Sequence, residues 1–455
     1  MSRTTLGQRL PEIRVPPPGP ASRALARRLQ EVESRNVTQI TATWPVFWEE
    51  ARGANVRDAD GNVYLDLTGA FGVALLGHAH PAVVEAVRAQ AERLVHGMGD
   101  VHPPSVKVEL LERLAAFAPW DHARAVLSST GSEAVETALK TALVATGRPG
   151  ILAFEGGYHG LTLGALAATA RGRFRDPFVS RLYRGVAFAP FPDPVRDGAE
   201  ASGRALARVE EILARGAPAP DGSVHPIGAV LVEPVQGRGG GRVAPDGFMG
   251  RLSELAVDAG ALVIADEVLT GVGRCAALLA STRVGLRPDL ICLGKALGGG
   301  LPVSACVGAA RVMDAWPESD GEALHTSTFL GHPLACAAAL AVRDAVEAEG
   351  VVGRARRLGD RLVTELRRAL RGVEGIADVR GLGLLVGIEL AREPGLDPST
   401  GAAARAARAA LAEGVLVLPS GDHGHVLELT PPVDLTEAQL AHGVEVVARA
   451  VRGAA

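Results

Sequence analysis

Lysine is scarce in this chain and therefore informative. Among 47 lysines and arginines only Lys107, Lys140 and Lys295 are lysines. Lys107 and Lys140 lie within helical patterns, where a solvated cation needs no special explanation. Lys295 follows the apolar run Ile291-Cys292-Leu293 and stands among Gly294, Gly298, Gly299 and Gly300. Glycines let another group approach closely, and desolvation lowers an amine's pKa towards nucleophilic competence. Asp266 closes a second apolar run, Val263-Ile264-Ala265. Ligands of open α/β sheets sit at such strand ends, although a strand-ending acid also caps turns or pairs with arginine. Ser128-Ser129-Thr130-Gly131-Ser132-Glu133-Ala134 precedes a helical pattern. A small-residue turn there offers free backbone N–H groups to an anion, and plain N-capping would use the same residues. Finally, Phe154-Glu155-Gly156-Gly157-Tyr158-His159-Gly160 sets one of only three tyrosines in a Gly-rich loop, as an aromatic plate or as packing.

These residues need elements to hold them. From about Ala123, short β-rich runs alternate with helical segments: 125–127, 150–154, 186–188, 227–232, 262–265, 290–293 and 304–307. Several are almost wholly apolar, as strands buried on both faces are. Strands separated by helices imply crossovers and a mostly parallel sheet. Before this core, 1–20 reads as a Pro-rich arm, 23–35, 81–95 and 105–117 as helices, and 54–67 as a hairpin turning at Asp58-Ala59-Asp60-Gly61. After Pro333 come helices over 334–349 and 354–371. Strand patterns at 376–380, 384–390, 415–418 and 426–430 then alternate with helices at 401–413 and 436–452. The expected organisation is an N-terminal arm and segment over 1–75 associated with the small domain, a large α/β domain over 76–335 and a smaller C-terminal α+β domain over 336–455.

Composition excludes other classes. The chain has 455 residues, 47% hydrophobic and 22% charged, with a net charge of −4. No basic field favours nucleic acid or an anionic membrane, and no apolar run of about 18 residues predicts a membrane span. The start lacks the apolar stretch of a secretory signal. Cys275, Cys292, Cys306 and Cys336 form no C-x-x-C pair, so no metal site is expected. Buried free thiols in a cytoplasmic enzyme are the expectation.

A phosphate cradle, an aromatic plate, a carboxylate and an isolated lysine near strand ends are together the parts that pyridoxal 5′-phosphate requires. At this point the chain resembles the class III (subgroup II) pyridoxal-phosphate-dependent aminotransferases, from about Trp44 to its end. The segments that carry the resemblance are DADGNVYLDLTGAFGVALLGHAHP, SSTGSEAVETALKTA, FEGGYHG, LVEPVQG, VIADEVLTGVGR, LGKALGGGLP, HTSTFLGHPLACAAA, RGLGLLVGIEL and LTPPV. It implies the aspartate-aminotransferase-type fold and a homodimer with shared active sites. It implies that Lys295 carries the cofactor and moves the proton, and that Asp266 pairs with the pyridine nitrogen. Tyr158 and Val268 would cover the two ring faces, Gly131 and Ser132 bind the phosphate, and Glu233 lie near the cofactor. Thr328 would reach the phosphate bound by the neighbouring subunit. The reaction implied is amino transfer from an amine or ω-amino acid, such as 4-aminobutyrate, to an oxo acid such as pyruvate or 2-oxoglutarate. Racemisation or epimerisation of an amino acid needs the same residues and is the rival reading.

The chain departs from the family pattern in a charged pair. Many ω-amino-acid aminotransferases carry glutamate where Arg238 stands and arginine where Glu428 stands. Exchange of both charges suggests an exchanged gate, with Arg238 holding a substrate carboxylate and Glu428 neutralising it; two unrelated surface changes are the alternative. Leu269 replaces a frequent glutamine, His332 replaces the asparagine of a GNP turn, and Phe71 either lines the substrate pocket or belongs to the core.

Overall fold

The computed structural model describes residues 6–219, 221–392 and 397–454. The chain divides into two compact units, 81–356 and, from two separate stretches, 1–80 with 357–455.

The larger unit is built on a seven-stranded sheet. Its strands are β1 (Ala123–Ser128), β2 (Gly150–Phe154), β3 (Val186–Ala189), β4 (Ile227–Val232), β5 (Leu262–Asp266), β6 (Leu290–Leu293) and β7 (Ser304–Ala309). They lie in the order β1-β7-β6-β5-β4-β2-β3. The pairs β6–β5, β5–β4, β4–β2 and β2–β3 are parallel, as the alternation of strands and helices predicts. β7 runs antiparallel to both β6 and β1. All seven strands fall on the runs read from the sequence. The helix α1 (Gly131–Thr146) lays Ala134, Val135, Ala138 and Ala142 against a core that includes Ala153, Leu231, Ile264, Cys292 and Cys306. Small side chains on both surfaces let the helix sit close to the sheet. The four cysteines are free and buried. Cys292 and Cys306 face each other across β6 and β7, where they pack as small apolar residues.

The helix α2 (Pro333–Ala348) belongs to this larger unit. Its residues Cys336, Ala338 and Val342 are buried. The expected division at 335/336 therefore moves to 356/357, inside the helix Val351–Ala369, and that at 75/76 moves to 80/81. An Ala-rich helix carries no sequence mark saying which core it serves.

The smaller unit holds two four-stranded sheets. The hairpin Asn55–Asp58/Val63–Asp66 forms as expected, with Gly61 at φ +82°. Asp58 accepts the amides of Asp60 and Asn62 and so closes the turn. The N-terminal arm is ordered against this hairpin: the amides of Gly7 and Arg9 both donate to Asn55 Oδ1, and Glu12 pairs with Val63. The strand Trp48–Arg52, which the sequence reading passed over, adds to its edge. The run expected as one strand over 415–418 splits: Val415–Leu416 joins Val63–Asp66, whereas Leu418–Ser420 pairs with Val426–Leu429 in the other sheet. Pro419 lacks an N–H and sits on an edge strand, where none is needed.

After Asp66 the chain makes a left-handed turn, Gly69-Ala70-Phe71-Gly72, with φ of +50°, +50°, +59° and +80°. Asp66 holds its entry by accepting from Thr68 N and Oγ1, Ala70 N and His78 Nε2. Two L-residues with Cβ atoms are strained there, by roughly 1–2 kcal/mol each. Ala70→Gly should therefore leave stability unchanged or raise it by up to about 1 kcal/mol. In contrast, Ala406→Gly, in the buried helix Ala402–Ala412, should lower it by about 1–2 kcal/mol. Denaturant titration of both variants gives the comparison.

Candidate active site

The C-terminal ends of β1, β2, β4, β5 and β6 deliver the residues singled out above to one edge of the larger unit. Parallel register fixes who stands beside whom. Ala265 is level with Val232 and Asp266 with Cys292. Glu233, the next residue after β4, thus follows a strand that borders β5, and Lys295 comes three residues past Cys292.

Asp266 is 4% exposed. Its Oδ2 lies 2.8 Å from His159 Nδ1 and its Oδ1 accepts the Val268 amide at 3.1 Å. A carboxylate that accepts there requires His159 to donate through Nδ1. His159 Nε2 is also buried and has no hydrogen-bond partner among the described residues. The sequence reading quoted this histidine within its loop but gave it no role; its place beside Tyr158 was the available signal.

Glu233 is buried and bridges two loops. It accepts the Tyr158 amide at 3.0 Å and the Gly237 amide at 2.9 Å. Burial, with the charge of Asp266 adding to it, pushes its carboxyl up to about 7; His159 and the two amide donors oppose the rise. Gln236 Nε2 donates to the Glu155 carbonyl at 2.8 Å and ties the same loops again.

The Tyr158 ring packs edge-on against Phe174, 5.9 Å between centroids. The Arg238 guanidinium stands 5.9 Å from the centre of the Tyr158 ring. Arg171 Nη1 donates to the Arg238 carbonyl at 2.5 Å. Burial raises the Tyr158 phenol, and Arg238 and Arg171 oppose that rise. Leu269 is buried beside this loop; a Cβ on Gly237 would come within 2.2 Å of its Cδ2.

The first turn of α1 is capped by Thr130, whose Oγ1 accepts the Glu133 amide while Glu133 Oε2 accepts the Thr130 amide. Helix geometry leaves the amides of Gly131 and Ser132 without a partner inside the helix. Val268 closes on this turn: a Cβ on Gly131 would meet its Cγ1 at 2.8 Å, and one on Gly294 would meet the same atom at 3.2 Å. Lys295 itself is half-buried and held at φ +42°, strained backbone of the kind found at functional positions.

This arrangement fits a phosphorylated aromatic aldehyde. Two amides without a partner inside the helix, together with the helix dipole, suit the phosphate, a buried carboxylate suits a ring N–H, and an amine stands two residues past the strand beside that carboxylate. Lys295, Asp266, Glu233, Tyr158, Val268, Gly131 and Ser132 all belong to this edge. Thr328 is exposed in the same unit and Arg238 stands beside Tyr158. Phe71 and Glu428 belong to the smaller unit. Phe71 is 60% exposed on the left-handed turn, so it is not core. Glu428 is 9% exposed and accepts from Ser420 Oγ at 3.0 Å, so it is no surface charge.

Comparison with known proteins adds the following. The model of the family described as aminotransferase class-III matches residues 36–451. A 4-aminobutyrate aminotransferase of Mycobacterium tuberculosis is 37% identical over 445 residues, 94% of this chain and 95% of its own. A 5-aminovalerate aminotransferase of Pseudomonas putida is 36% identical, covering 93% and 97%. Among solved structures, an amine transaminase from an uncultivated Pseudomonas species with bound pyridoxal phosphate superposes with a TM-score of 0.84 at 31% identity, over 93% of this chain and 99% of its own.

Glu233 yields a pH prediction. Its carboxyl titrates higher in the fold than the usual value of about 4.3 in an unfolded chain, so the protonated form favours folding. That contribution is full below about 4.3 and is lost as pH rises through about 7. Between about pH 5 and pH 8 the folded state should lose on the order of 1–3 kcal/mol from this group. Glu233→Gln, which cannot titrate, should flatten that decline in denaturant titrations, whatever its effect on absolute stability.

Proposed function

The chain belongs to the class-III aminotransferase family, and we propose that it transfers the amino group of an ω-amino acid of the 4-aminobutyrate type to an oxo acid. The observation that carries this reading is the placement of Lys295 two residues past the strand whose neighbour ends in buried Asp266. The named relatives act on 4-aminobutyrate and 5-aminovalerate, which supports a terminal amine separated from a carboxylate as the donor. Racemisation, the other outcome these residues allow, finds no support among them.

When bound, pyridoxal 5′-phosphate supplies an electron sink for the bonds at the carbon bearing the amino group. The protein does the rest. The amides of Gly131 and Ser132 hold the phosphate, and Tyr158 and Val268 confine the ring between them. Asp266, oriented by His159, accepts the ring N–H and keeps that nitrogen positive. Lys295 Nζ would hold the cofactor and, when its amine is free, would take the proton from the substrate carbon bearing nitrogen as general base and deliver it again as general acid. Donor and acceptor would react in two successive half-reactions at the same lysine, so ping-pong kinetics are expected. Arg238, beside the Tyr158 ring, supplies the cation for a substrate carboxylate. Glu428 is proposed as the opposite charge for the half-reaction that needs no cation.

The proposed enzyme is a homodimer. Val95, Met98, Val101, Leu324 and Phe329 are each more than half exposed in the larger unit, apolar surface that a second copy would cover, and Thr328 stands between Leu324 and Phe329 in sequence. Among the described residues no helix is long and apolar enough to cross a membrane. A cytoplasmic location is proposed, supported by four free buried thiols.

Steady-state assays with 4-aminobutyrate, separately with pyruvate and 2-oxoglutarate, test the function. Transfer should require an oxo acid and stop after one equivalent without it; continued conversion of a chiral amino acid alone would establish racemisation instead. Arg238→Ala should lower kcat/KM for the carboxylate-bearing acceptor by roughly ten- to a hundred-fold, about 1.5–3 kcal/mol for a lost charge-assisted contact. Reaction with a simple monoamine should suffer far less. Glu428→Ala should disturb the amine more than the acceptor.

A further inference from the structure

Two of the three lysines, and a histidine from the motif HTSTFLGHP, remain outside the chemistry above. They converge on one loop. His325 Nε2 lies 3.0 Å from Thr137 Oγ1 and its Nδ1 lies 3.3 Å from Lys140 Nζ. Both partners belong to α1. One residue on, Thr326 Oγ1 donates to Asp100 Oδ2 at 2.8 Å. At the far end Lys107 Nζ donates to the Gly99 carbonyl at 2.6 Å. The Lys107 stem fills the space a side chain on Gly331 would need, with Cδ at 2.6 Å from that Cβ position. Trp316, at the loop's entry, donates from Nε1 to Thr141 Oγ1 at 3.0 Å, again on α1. Between these clamps Thr328 and Phe329 are exposed.

The hydrogen bonds determine the state of the ring. An ammonium only donates, so Nδ1 must accept from Lys140. Thr137 gives its hydroxyl proton to the Glu133 carbonyl at 2.8 Å, so its oxygen accepts and Nε2 carries the hydrogen. His325 is therefore neutral in this arrangement. A second proton would land on Nδ1, facing Lys140 Nζ, and break the contact.

We propose that His325 is a positioning residue: as a neutral ring it latches the loop carrying Thr328 onto α1, the helix whose first turn cradles the phosphate, and protonation releases the latch. Each copy's α1 then does two jobs, holding an anion at its N-terminus and orienting the loop offered to the other copy. The proposal rests on the reading that Thr328 serves the neighbouring subunit's phosphate.

The charged groups facing the ring are Lys140, Glu133 and Glu136, all on α1; Asp100 lies one residue along the loop, on Thr326. Burial and Lys140 lower the imidazole's pKa, and the two glutamates oppose this. A lowered value favours the neutral ring in the fold. The latch is thus complete above the ordinary histidine value, about 6.5, and lost as pH falls through the lowered one.

The test uses holoenzyme and two readouts besides turnover. One is the rate of cofactor loss on dialysis. The other is cleavage by a glutamate-specific protease at Glu318 or Glu322, both exposed in the loop. In the wild type both rates should rise as pH falls below about 6.5, by at most tenfold per unit, and level off once pH has passed the lowered value, as proton linkage requires. His325→Gln, whose amide can still donate to Thr137 but cannot titrate, should show neither rise. Lys140→Met should weaken the rise, and His325→Ala should be cleaved fast at every pH. A pH response that persists in His325→Gln, or slow cleavage of His325→Ala, overturns the latch. Thr328→Ala separates the two readings. If it retains cofactor like the wild type while His325→Ala is still cleaved fast, the latch stands and the role of Thr328 falls.

Discussion

The hydrogen bond between His159 Nδ1 and Asp266 Oδ2, 2.8 Å long with both side chains almost wholly buried, makes it possible to keep a carboxylate at the end of β5. Taking such a group out of water costs several kcal/mol unless donors replace the lost hydration. His159 and the Val268 amide are those donors. The consequence spreads to Glu233, whose carboxyl is pushed upward by its own burial and by this neighbouring charge. Two acids at one sheet edge thus occupy different electrostatic roles. Asp266 presents its oxygens to donors at the site, while Glu233 fastens the Tyr158 loop to the Gly237 loop.

Close approach is the second constraint. Val268 touches the first turn of α1 only because position 131 has no side chain, and it nears Lys295's own loop because position 294 has none. Ser132 Oγ would stand 2.0 Å from a Cβ on Gly160, whose φ is +131°. These glycines draw the loops after β1, β2, β5 and β6 into one small space. Lys295 sits at positive φ in that space, strain of roughly 1–3 kcal/mol that the surrounding sheet must hold in place.

Much of this was legible beforehand, for physical reasons. Strands buried on both faces write continuous apolar runs, so all seven strands of the larger sheet were found. Asp266 stood out because it closes such a run, and Lys295 because it follows one among glycines as one of only three lysines. Features set by tertiary choice were not legible. Nothing in the alanines of α2 tells which unit buries them, so the division at 335/336 was misplaced. The switch of sheets at Val417 depends on which edges happen to be open. Phe71 could be read as core or pocket, because an aromatic residue in an apolar stretch looks buried, whereas a left-handed turn holds it out. His159 and His325 went unassigned because a histidine's role lies in the partner it meets, Asp266 for one and Lys140 with Thr137 for the other, and those partners lie 107 and more than 180 residues away.

The central claim is that one lysine of three carries the cofactor beside Asp266. Borohydride reduction of the holoenzyme, which fixes the imine as a stable amine, followed by peptide mapping tests it directly. The account predicts a single pyridoxyl-modified peptide containing Lys295, absent from Lys295→Ala. Label on the peptides containing Lys107 or Lys140, or retention of label in Lys295→Ala, would contradict it.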